Sequence, residues 1–85
     1  MESIEEKVVD IFKNRMFRDL SKCNNPFSLS IFGTEIGLQP SEAMFLLFEL
    51  EKEFGIRFSD NVVTEYKFSI LGDIVQAIKD ELSYN

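Results

Sequence analysis

The sequence predicts a small all-α bundle. Three stretches carry apolar residues at helical spacing, and each is bounded by residues that start or stop helices. Between the first and second lies a long segment with apolar residues but no sustained period, and nowhere does a second strand pattern appear for it to pair with. Together these give a pattern of helix, long ordered loop, helix, short helix, helix in a single domain spanning residues 1–85.

The first helix opens at Ser3, which with Glu6 forms a capping box. Ile4, Val8, Ile11, Phe12 and Leu20 follow at helical spacing, with Met16 or Phe17 between, so the helix is expected from Ile4 to about Leu20. Lys7, Lys13, Arg15 and Arg18 fall mostly off that stripe and read as a solvated face. Ser21 to Pro26 is turn material. Phe27 to Gln39 then reads as a long ordered loop whose apolar residues drop onto the bundle, and loops of that length usually have a job.

The second helix is the best marked. Pro40 suits the first helical position, Glu42 the first turn, and Gly55 the left-handed residue that ends a helix, giving bounds of about Pro40 to Phe54. At about 100° per residue, Ala43, Leu47, Leu50 and Phe54 form the core stripe with Leu46 on its edge. Glu42, Glu49 and Glu53 form a second stripe beside it, and Phe45, Phe48 and Lys52 point away from the core. Two phenylalanines on an outward face either lie under a neighbouring loop or form a docking surface, an apolar spot ringed by acid and suited to a basic partner.

Ser59, Asp60 and Asn61 can cap a short third helix through Val62, Val63 and Glu65. The last helix is capped at Ser69 and carries a stripe of Ile70, Leu71, Ile74, Val75, Ile78 and Leu82, with Asp73, Gln76, Lys79 and Asp80 outward. Gly72 in its first turn weakens it by up to about 1 kcal/mol against alanine, which points to a close contact there. The last three residues, Ser83, Tyr84 and Asn85, are expected to fray.

Composition bounds the chemistry. The 85 residues include nine Phe and are 45% hydrophobic, enough for one modest core without staples. Cys23 is the sole cysteine, so no internal disulfide forms, and it reads as a loop thiol without a role. There is no histidine, which removes the commonest general base and metal ligand. With no Gly-rich phosphate loop and no serine or cysteine beside an evident base, the chain is not expected to be an enzyme and no metal is expected. The net charge of −6, from 15 acidic and nine basic residues, argues against nucleic acid and anionic membrane as partners. The longest apolar run, Ala43 to Phe48, is far short of a membrane span, and the acidic first residues lack an apolar signal region. The expectation is a cytoplasmic, monomeric protein.

Two segments carry a family likeness. Leu50-Glu51-Lys52-Glu53-Phe54-Gly55-Ile56 resembles the Leu-Glu-x-Glu-Phe-Gly-Ile run that ends the second helix of the acyl carrier protein family. Phe68-Ser69-Ile70-Leu71-Gly72-Asp73-Ile74-Val75 is similar to the Phe-x-Thr-Val-Gly-Asp-Val-Val run that opens that family's last helix. The resemblance covers about the C-terminal half and implies an acyl-carrier-like bundle. It also implies a 4′-phosphopantetheine arm on a serine in an Asp-Ser-Leu motif at the start of the second helix. Aligned without gaps, this chain has Gln39-Pro40-Ser41 there: Pro40 falls on the serine position and offers no nucleophile. Ser41 lies one residue further on and reads as an ordinary first-turn serine. The chain thus resembles a carrier whose attachment site is lost or displaced. Such carrier-related proteins resemble those of bacterial peptide-maturation systems, a likeness carried here by Phe32-Gly33-x-Glu35-Ile36-Gly37-Leu38 and by Leu47 to Phe54.

In that family the second helix is the surface that partner enzymes recognise through acidic residues. The resemblance therefore implies a non-catalytic module that docks the basic surface of a partner enzyme through Glu42, Phe45, Phe48, Glu49 and Glu53, with no cofactor expected. Two alternatives stand beside it. One is a working acyl or peptidyl carrier bearing phosphopantetheine on Ser41. The other is a small structural subunit or homodimer that assembles through Phe45 and Phe48.

Overall fold

The computed structural model describes residues 3–58 and 69–83. Over these residues the chain is all-α: helix α1 spans Ile4–Asn14, α2 spans Pro40–Phe54, and α3 spans Leu71–Ser83, with no strand. The short helix expected through Val62, Val63 and Glu65 lies outside the described residues. None of the three helices is long and apolar enough to cross a membrane.

α1 begins as its sequence dictates, with the Ser3 hydroxyl accepting the Glu6 N–H at 3.1 Å. It ends earlier than the periodicity implies, at Asn14 rather than near Leu20. Phe17 adopts a left-handed backbone, φ 58°, which no helix accommodates. Met16 and Leu20 are both buried, and their spacing of four imitates a helical stripe. The chain reaches those two positions by a left-handed turn and then a 3-10 turn at Leu20–Lys22, where the Asp19 carboxylate accepts the Ser21 N–H. Met16 therefore faces in and Phe17 faces out.

The segment from Phe27 to Gln39 drops Ile31, Ile36 and Leu38 into the core, as expected of an ordered loop. Its alternation at Leu29 and Ile31 does have a partner, contrary to the sequence reading. The Ile31 N–H donates to the Ser69 carbonyl at 2.7 Å, and the Leu71 N–H donates to the Leu29 carbonyl at 3.0 Å. These two bonds flank a single antiparallel bridge between Ser30 and Ile70. Beyond Ile70 the partner cannot continue as a strand, because the chain enters α3 at Leu71.

α2 keeps its expected bounds. The Glu42 carboxylate accepts the Gln39 N–H, and Gly55 takes the left-handed conformation, φ 64°, with its N–H on the Glu51 carbonyl. Its buried face is turned from the one expected: Ala43, Leu46 and Leu50 are buried, while Leu47 and Phe54 are only half-buried. α1 packs on the flank of α2 that carries Glu42, Glu49 and Glu53 and so covers Leu46. α3 buries Leu71, Ile74, Val75 and Ile78 against α1 and the 3-10 turn at Pro26–Ser28. The shared core joins these to Val8, Ile11, Phe12, Ile31 and Leu50, and it contains no buried polar side chain among the described residues.

Candidate functional site

Opposite the buried Ala43, Leu46 and Leu50, α2 presents an apolar strip. Phe48 is 61% exposed, Met44 50% and Phe45 47%. Among the described residues no loop covers Phe45 and Phe48. Met44 joins them because it precedes Phe48 by one helical turn. Sequence reasoning missed it, since an outward methionine carries little signal beside two phenylalanines. Phe17, 83% exposed at the end of α1, is a further large apolar side chain in solvent.

The three glutamates are not an open acidic stripe. Arg15 reaches the Glu49 carboxylate at 2.5 Å and Glu53 at 3.1 Å. Arg18 reaches both oxygens of Glu42 at 3.2 Å. Arg18 also donates to the carbonyls of Ile36 and Met16 at 3.1 and 3.2 Å, tying the end of α1 to the loop before α2. The two arginines expected on a solvated face instead bridge α1 to α2. Both arginines lie past the end of α1, on either side of the left-handed Phe17, so no helical spacing in the sequence pairs them with the glutamates. Glu42 serves twice, capping α2 through the Gln39 N–H and holding Arg18. Such half-exposed pairs contribute about 0–1 kcal/mol each, more where one guanidinium gathers several acceptors.

Ser41 is exposed in the first turn of α2, directly after Pro40. Pro40 holds the first helical position and has no hydroxyl to which a phosphopantetheine arm could be attached. The only hydroxyl beside it is that of Ser41, about 100° further round the helix. Open clefts lined by described residues lie elsewhere. One of about 140 Å³ is lined by Lys7, Asp10, Asn14, Arg15 and Glu53, and one of about 250 Å³ by Glu5, Glu6, Val9, Asp10 and Phe27. Neither includes a residue of the outward face of α2. Among the described residues, no group of three acidic or cysteine side chains is placed to hold a metal ion. Comparison with protein-family models, with curated proteins and with solved structures finds no match.

Proposed function

We propose that this chain is a non-catalytic, acyl-carrier-like docking module whose contact surface is the outward face of α2. The observation that carries the reading is the strip of Met44, Phe45 and Phe48, held in solvent on the side of α2 opposite its buried face. Burying one such phenylalanine in a partner pocket contributes about 1.5–3 kcal/mol. The likeness of the Leu50 to Ile56 and Phe68 to Val75 segments to carrier proteins supports the same face, because carriers are recognised through that helix. Glu42, Glu49 and Glu53 flank the strip, but Arg15 and Arg18 already meet them. Recognition then rests on the aromatic side chains, and basic groups of a partner enzyme compete with the two arginines for the carboxylates.

The test is a photo-crosslinking residue placed at Phe48 and, separately, at Gln76 on α3, in the native host. A discrete adduct at position 48 and none at 76 is expected. Equal labelling at both positions sinks the reading. The carrier alternative is tested by intact mass after co-expression with a broad-specificity phosphopantetheinyl transferase and coenzyme A. A gain of one arm that Ser41→Ala abolishes would make the chain a working carrier, whereas the docking reading expects no gain.

A further inference from the structure

We draw no further inference here: the strongest candidate, the open cleft of about 250 Å³ between α1 and the 3-10 turn at Pro26–Ser28, lined by Glu5, Glu6, Val9, Asp10 and Phe27, is an acidic cluster beside two apolar side chains in which Lys79 already holds Glu5, and nothing in the structure shows what would occupy it.

Discussion

Gly72 lies so close to Phe27 that a methyl group in place of its hydrogen would sit 2.7 Å from the Phe27 carbonyl oxygen. The neighbour is backbone, so it cannot swing away as a side-chain tip would. Alanine ordinarily favours a helix by about 1 kcal/mol over glycine. Here Gly72→Ala should instead destabilise the fold by about 1–3 kcal/mol, because α3 must move off the loop. Urea denaturation would register this as a lower midpoint at constant slope. A raised midpoint would show that the loop yields at no cost.

Phe17 holds a left-handed backbone that costs a non-glycine residue about 1–2 kcal/mol, and it gains little packing in return because its side chain is in solvent. Phe17→Gly should raise stability by about 1 kcal/mol, and Phe17→Ala should change it much less, since alanine keeps the same strain. Thermal melts of the two variants compare them directly. A lower melting temperature for the glycine variant would mean that the phenyl ring supports the fold.

Arg18 gathers three carbonyls and a carboxylate, whereas Arg15 makes carboxylate contacts alone. Arg18→Ala should cost about 1–2 kcal/mol and Arg15→Ala less than about 1 kcal/mol. Arg18→Lys should not restore the loss, because an ammonium cannot span those acceptors as a planar fork does. Equal losses at the two arginines, measured by denaturation, would contradict this.

Two carboxylates give the fold an acid-sensitive edge. The hydrogen bond from Lys79 holds Glu5 below its ordinary value, and bonds from Ser21 do the same for Asp19. Both groups bind protons more weakly when folded than when unfolded. Their contribution is therefore complete above the ordinary carboxylate range and is lost as pH falls through the lowered values. Lys79→Met should flatten that decline and change stability at neutral pH little, as befits a solvent-exposed pair. A variant whose acid limb overlays the unaltered chain would remove Glu5 from the account.

Much of the architecture was legible in the sequence, for local reasons. Pro40 and Gly55 fix the ends of α2 by their own backbone preferences, and Ser3 fixes the start of α1. Gly72 announced a close approach because a helix tolerates glycine poorly. The misreadings come from tertiary causes. Met16 and Leu20 keep a helical spacing while the chain between them turns left-handed, and spacing alone does not distinguish the two paths. The same holds for α2, where the choice between Leu46 and Leu47 as the buried residue depends on where α1 lies. The outward aromatics were visible as a periodic anomaly, but the arginines that neutralise their flank come from an element 34 residues away, and no local pattern pairs them.

The bridge between Ser30 and Ile70 joins points 40 residues apart and encloses the whole of α2. Closing a loop of that length costs entropy before α2 has gained its own contacts. α1, the loop and α3 can settle around this clasp while, among the described elements, α2 packs on α1, so α2 should be the last part to lock and the first to loosen. Amide exchange would then be slowest at Ile31 and Leu71, where the clasp donates its hydrogen bonds, and faster along α2.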